Sequence, residues 1–218
     1  MIFLPPSPML WEMYVVLTGD IVASRAISDR EGLLQGLLQA MERINGSLAP
    51  WVLSSFRVVR GDEFQGLISS LGPVPMAIFD LKAWLLPWKV RIGVGAGGIS
   101  TRVVEDVSLM DGEAFRRAAE ALQVAREARR EVVFRTGLKP VDEVAEMIYP
   151  LMETIWGRWR EELWQRCLLF LEGGSLKGVA EEVGVSYQAI HKEFQRSGVM
   201  RVLEVMEKFQ RWLEGRSA

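Results

Sequence analysis

At 218 residues the chain is long enough to bury one large core or two modest ones. Its apolar half and charged quarter are the balance of an ordinary globular polypeptide, and a formal net charge of −2 excludes a general electrostatic attraction to nucleic acid, so any such contact must come from a local patch. A single cysteine, Cys167, excludes a disulfide framework and a cysteine-based zinc site, and fits a reducing, cytoplasmic setting.

The opening MIFLPPSPML is apolar, but it has no basic leader and is broken by Pro5, Pro6 and Pro8. It reads as a packing arm, not a signal peptide or a membrane span. Tyr14–Leu17 then reads as a short buried strand that stops at Thr18-Gly19-Asp20. Leucines 33, 34, 37 and 38, with Met41 and Ile44, recur at helical spacing over residues 29–48, and Asp29 and Glu31 suit the first turn. Trp51–Arg60 and Phe64–Ser69 predict two strands joined by a Gly61-Asp62-Glu63 hairpin turn. A second helix is expected over Pro75–Leu86, a buried strand over Lys89–Gly95, a third helix over 112–130 and an edge strand over Val132–Phe134. From residue 142 onward the pattern is helical throughout.

The order β-α-β-β-α-β is that of a split βαβ, so the fold class is α+β: a ferredoxin-like domain followed by an all-α unit. The expected division is residues 1–140 for the first domain, 141–163 for a connecting helix and 164–218 for the second domain. In such a sheet the first and third strands are neighbours, which lets Asp20 face Asp62 and Glu63 across the strand ends. Three converging carboxylates would make an oxygen-rich site for Mg²⁺ or Mn²⁺, able to bridge a triphosphate. Each position also has a purely structural account, as a helix cap for Asp20 or a Gly-Asp turn.

Thr18-Gly19-Asp20-Ile21-Val22-Ala23-Ser24 resembles the first metal-binding motif of class III nucleotidyl cyclases. Arg60-Gly61-Asp62-Glu63-Phe64 resembles the hairpin of that family and the GGDEF hairpin of diguanylate cyclases, although Arg60 stands where the latter carry glycine. Arg91-Ile92-Gly93-Val94-Gly95 and Asp111-Gly112-Glu113-Ala114-Phe115 are similar to later segments of the same palm. Taken together, the TGDIVASR and RGDEFQG stretches look most like the SatD family. This resemblance implies a metal held by Asp20, Asp62 and Glu63, and a nucleotide against Gly19, Gly61 and Arg116. On the last palm helix, Arg116 and Glu120 stand where a class III cyclase carries its transition-state Asn and Arg, a departure that bears on turnover.

Gly93 to Gly98 satisfies the dinucleotide pattern GxGxxG, but the chain that follows, Ile99–Val104, reads as extended and not as the helix such a site requires. A glycine-rich bend between strands is the expectation.

Further on, Ser175 is a natural cap for a helix over Leu176–Glu182, Gly184 supplies a tight turn with Val185 directed inward, and Ser186 caps Tyr187–Arg196. Ile190 and Phe194 anchor that second helix. The segment resembles the helix-turn-helix of sigma factor region four, spanning about residues 164–200. That geometry would turn Tyr187, Gln188, His191, Lys192, Gln195 and Arg196 toward DNA, with Arg201 near the backbone. From residue 156 on, ten basic residues stand against nine acidic ones, which fits an interaction module equally well. Trp156, Trp159 and Trp164 read as a core or dimer stripe, and Val202, Val205, Met206 and Phe209 as a homodimer face.

The expected protein is a cytoplasmic DNA-binding regulator, a homodimer, whose palm-like domain binds a metal-nucleotide. The alternatives are an active nucleotidyl cyclase or polymerase-like enzyme, and an interaction protein that has lost both activities.

Overall fold

The computed structural model describes residues 13–215; the amino-terminal arm read from the sequence lies outside them. Five strands, β1 (Tyr14–Ile21), β2 (Val52–Arg60), β3 (Glu63–Ile68), β4 (Val90–Gly97) and β5 (Val132–Arg135), form one sheet in the order β2-β3-β1-β4-β5. The first four pair antiparallel in the ferredoxin-like order, and β5 adds a parallel edge beside β4. The α+β class expected from the sequence is therefore the class observed.

Three helices interleave with these strands: α1 (Arg30–Ser47), α2 (Val74–Trp84) and α3 (Glu113–Ala128). Asp29 caps α1 by accepting a hydrogen bond from Gly32 N at 2.8 Å. Among the described residues five helices follow: α4 (Lys139–Trp156), α5 (Glu161–Gly173), α6 (Leu176–Glu182), α7 (Tyr187–Ser197) and α8 (Val199–Leu213).

The period-two alternation of the strands sorts their side chains between two faces. Ile92, Val94 and Ala96 of β4 join Val15, Leu17 and Ile21 of β1 in a cluster with α1, α2 and α4 to α8. That cluster of buried side chains runs without a break from Val15 to Leu213. On the opposite face Val16 and Leu67 meet Ala114, Phe115 and Ala118 of α3.

Several expectations are corrected. The first strand does not stop at Leu17. It continues through Asp20 and Ile21, because its ladder with β4 runs on to Ile21 opposite Val90. The glycines after residue 92 do not form a bend: Gly93 and Gly95 lie inside β4 on the α3 side. A Cβ on Gly93 would come within 2.5 Å of Ala118 O, so these glycines set the distance between helix and sheet. The helical run after residue 141 is broken between Trp156 and Glu161. Val185 points outward, 41% exposed. Val202, Met206 and Phe209 of the expected dimer face are buried within the chain itself, leaving Val205 at the surface. Of the two readings of the tryptophan stripe, core or dimer contact, the core holds: all three are buried, and Phe79 lies 4.9 Å from Trp164, centre to centre.

Asp80 of α2 offers a test of how this core tolerates charge. Burial, reinforced by the nearby Glu172 carboxylate of α5, pushes its carboxyl up to about 7 from an ordinary 3.8. The folded state therefore holds a proton there that the unfolded chain gives up. The stability that goes with that proton is complete below about pH 4 and lost progressively as pH rises to about 7, with a ceiling near 4 kcal/mol at ~1.4 kcal/mol per pH unit. Asp80→Asn should therefore raise stability at pH 8 by about 1–3 kcal/mol and hardly at all at pH 4. Urea unfolding at the two pH values checks this; equal shifts at both would show that Asp80 is solvated.

Among the described residues no helix is long and apolar enough to cross a membrane.

Candidate functional site

Alternation along the strands also assembles the site. On β1, Val15, Leu17 and Ile21 face the large core, so Asp20 faces α3. Asp20 is in register with Arg91 of β4, and Glu63 opens β3 on the same side. Helix α3 starts beside the end of β4, where Ala114 N donates to Gly98 O, and runs back toward the start of β4. Its last turn thereby delivers Arg126 to the carboxylates.

Arg126 Nε donates to Asp20 Oδ2 at 2.7 Å, and Nη2 donates to Glu63 Oε1 at 3.3 Å. Burial works against the Arg126 charge, but the hydrogen bond and charge of Asp20, and then of Glu63, outweigh it and hold the guanidinium above its ordinary pKa. Asp62 turns back from the hairpin, and its Oδ2 accepts from Ile21 N at 3.0 Å. Asp20 is only 8% exposed, and its Oδ1 is buried with no hydrogen-bond partner. Arg91 Nη1 lies 3.6 Å from that oxygen, near enough to offset its charge but too far to fill its lone pairs.

These groups line an open cleft of about 580 Å³, walled also by Ile21, Ala23, Ser24, Arg25, Arg60 and Gly61. Ala23 holds a left-handed backbone, φ 55°, where β1 gives way to the short 3-10 turn Ser24–Ala26. Such a conformation is uncommon outside glycine and clusters at functional clefts. Three carboxylates and four guanidiniums share the lining.

The structure thus brings Asp20, Asp62 and Glu63 to one cleft, as the sequence led one to expect. Gly61 lies in the cleft wall, with φ 61° in the hairpin turn. Gly19 does not line it: a Cβ there would come within 2.7 Å of Arg91 O and strike the Phe64 ring, so this glycine serves packing. Arg116 also lies elsewhere, exposed in the first turn of α3 and 3.8 Å from Asp111. It stands ten residues, roughly 15 Å of helix, from Arg126. Arg126 was not anticipated. Nothing in the sequence distinguishes it from Arg129 or Arg130, and only the direction of α3 across the sheet selects it.

A divalent cation has suitable hard oxygen donors here, but they are already engaged. Among the described residues no three His, Cys, Asp or Glu side chains are gathered to hold a metal as they stand. Of the carboxylate oxygens in this lining, Asp20 Oδ1 is buried without a hydrogen bond, while Arg126 donates to its partner Oδ2.

At the other end of the chain, Ser175 Oγ accepts from Gly178 N and Ser186 Oγ accepts from Ala189 N, so both expected caps are formed. Ile190 and Phe194 are buried, while Tyr187, Gln188, Lys192, Gln195 and Arg196 are exposed and His191 is half-buried. The rings of Tyr187 and His191 stack at 5.7 Å, and Arg201 pairs with Glu204 at 2.8 Å.

Comparison with known proteins gives one family match, in which the SatD family model aligns with residues 14–208. No curated protein matches the chain. Similar solved structures include a bacterial light-regulated adenylyl cyclase, 15% identical with TM-score 0.45 over 59% of this chain and 44% of the other. The guanylyl cyclase domain of the RhoGC fusion protein from the aquatic fungus Blastocladiella emersonii is 15% identical, with TM-score 0.38 over 52% and 75%. The active GGEEF domain of a diguanylate cyclase from Vibrio cholerae is 14% identical, with TM-score 0.39 over 56% and 81%. The chain spans less than half the length of that adenylyl cyclase.

Proposed function

We propose that this chain, which belongs to the SatD family, binds a nucleoside phosphate together with Mg²⁺ or Mn²⁺ in the cleft between β1, the β2–β3 hairpin and the end of α3. The observation that carries the reading is the buried, incompletely bonded Asp20 carboxylate in a cleft shared with Arg25, Arg60 and Arg91. Guanidinium groups suit phosphate oxygens, which they meet with paired, charge-assisted donors. Carboxylates suit a hard cation, so one cleft offers both halves of a metal–phosphate ligand. Asp20, Asp62 and Glu63 would hold the cation, which would neutralise phosphate charge. Asp62 also fixes the hairpin to β1 through Ile21 N.

Calorimetric titration of the four ribonucleoside triphosphates with Mn²⁺ tests this directly. Binding is expected to the intact chain and to weaken at least about tenfold, roughly 1.4 kcal/mol, in Asp20→Asn/Asp62→Asn. An intact, folded protein that takes up no triphosphate would end the reading. A new cyclic or oligomeric nucleotide in the same mixtures would extend it to an enzyme of the cyclase or polymerase-like kind.

A second reading concerns α7, whose solvent face carries Gln188, Lys192 and Arg196 above the buried anchors Ile190 and Phe194. A helix so presented suits the major groove of DNA, with Gln188 toward adenine and Lys192 toward guanine or phosphate. Titrating mixed-sequence duplex DNA at low salt extends the same measurements, and an elution profile indifferent to DNA would remove this second reading.

A further inference from the structure

We propose that Arg126 is an intramolecular counter-ion competing with the divalent cation for Asp20 and Glu63, so that loading the cation and releasing Arg126 are one event. This rests on the cleft reading above and adds to it a control on when the site can fill.

Three observations carry the inference. First, Arg126 spans both carboxylates, at 2.7 Å from Asp20 and 3.3 Å from Glu63, and so sits between two of the donors a cation would need. Second, it satisfies Asp20 incompletely. Oδ1 points into a buried position without a hydrogen bond although the residue is nine-tenths buried, which is costly for a carboxylate. Arg126 holds the other oxygen and Arg91 stops 3.6 Å from Oδ1, beyond hydrogen-bond reach, whereas a compact cation can coordinate through either oxygen. Third, the latch has somewhere to go: the Arg126 side chain is 37% exposed and belongs to the last turn of α3, so a change of rotamer moves it into solvent without disturbing the core.

Charge balance makes the exchange feasible. Asp20, Asp62 and Glu63 against Arg25, Arg60, Arg91 and Arg126 leave the lining at +1 (four positive less three negative). Replacing one guanidinium by a divalent ion changes this to +2, so the cleft suits an anion in both states. The phosphate ligand therefore does not oppose the exchange. The apparent affinity for the metal alone is lowered by the fraction of molecules in which the latch is closed.

The test uses Mn²⁺ alone as probe, with free Mn²⁺ followed by electron paramagnetic resonance and the fold of each variant checked by thermal unfolding. Arg126→Gln is expected to bind Mn²⁺ at least about tenfold tighter than the natural chain, the gain vanishing in Arg126→Gln/Asp20→Asn. Arg126→Lys, which keeps the charge, should stay close to the natural chain. Arg126→Gln binding no tighter than the natural chain would overturn the latch, and the cleft reading would survive if Mn²⁺–triphosphate still bound. Mn²⁺ and Mn²⁺–triphosphate both failing to bind any folded variant would overturn the two together. Arg126→Lys gaining as much as Arg126→Gln would overturn competition by charge, pointing instead to a loosened helix end.

Discussion

Gly95→Ala should cost about 3 kcal/mol, a large effect for a single methyl group. A Cβ at Gly95 would lie 2.8 Å from Ala118 Cα and closer still to Ala118 N and Ala114 O. All of these are backbone atoms of α3, so no side chain can rotate away, and relief requires the helix to lift from the sheet. Lifting it opens the contacts of Ala114 and Ala118 with Val16 and Leu67, which are buried completely. The change also withdraws Arg126 from Asp20, so the cleft should be disturbed along with the stability. Gly98→Ala is the matched control. A methyl there meets nothing within 4 Å, and its cost should stay within about 0.5 kcal/mol. Urea unfolding of both variants decides the matter; equal midpoints would show that α3 is not held at the spacing described.

The second large effect concerns a partly buried ion pair. Lys82 of α2 is 7% exposed and donates to Glu131 Oε2 at 2.6 Å, with its Nζ 5.0 Å from the centre of the Trp156 ring. Trp156 Nε1 donates to the same carboxylate oxygen at 2.8 Å, so α2, the approach to β5 and the end of α4 meet at one charge. Lys82→Met removes the cation and leaves that carboxylate with an indole as its remaining named donor. The expected cost is about 3–4 kcal/mol, because a largely desolvated charge left uncompensated is worse than no charge. Lys82→Met/Glu131→Gln should recover most of it, since a neutral amide oxygen still accepts from Trp156. Thermal unfolding should place the single variant about 6–16 °C below the natural chain, at roughly 2–4 °C per kcal/mol for a chain of this size. A loss under 1 kcal/mol would mean that water already compensates Glu131.

The sequence carried the fold well wherever periodicity and capping agreed. Ser175 and Ser186 each cap the helix assigned to them, and the strand order follows from the β-α-β-β-α-β alternation. It misled where one residue type serves two purposes. Gly19 and Asp20 have the chemistry of a turn, yet they lie in a central strand that pairs with β3 as far as Gly19 and with β4 on through Ile21. Gly93 and Gly95 resemble a loop because they lack side chains, and they lack them because α3 presses on the strand. The apolar face of α8 was visible, but amphipathicity does not say whether the partner is another chain or the chain's own sheet. Of the cleft, the carboxylates on strand ends were legible. Arg126 was not, since its contacts with Asp20 and Glu63 span 106 and 63 positions of sequence.

The unbroken cluster from Val15 to Leu213 has a thermodynamic consequence. Because side chains of the sheet and of the carboxy-terminal helices pack in that one cluster, the two are expected to melt together, each losing buried contacts when the other unravels. Whatever binds the cleft then adds its affinity to that shared reserve. Amides in α8, which contributes no residue to the cleft lining, would then be shielded from solvent exchange by occupancy of the cleft.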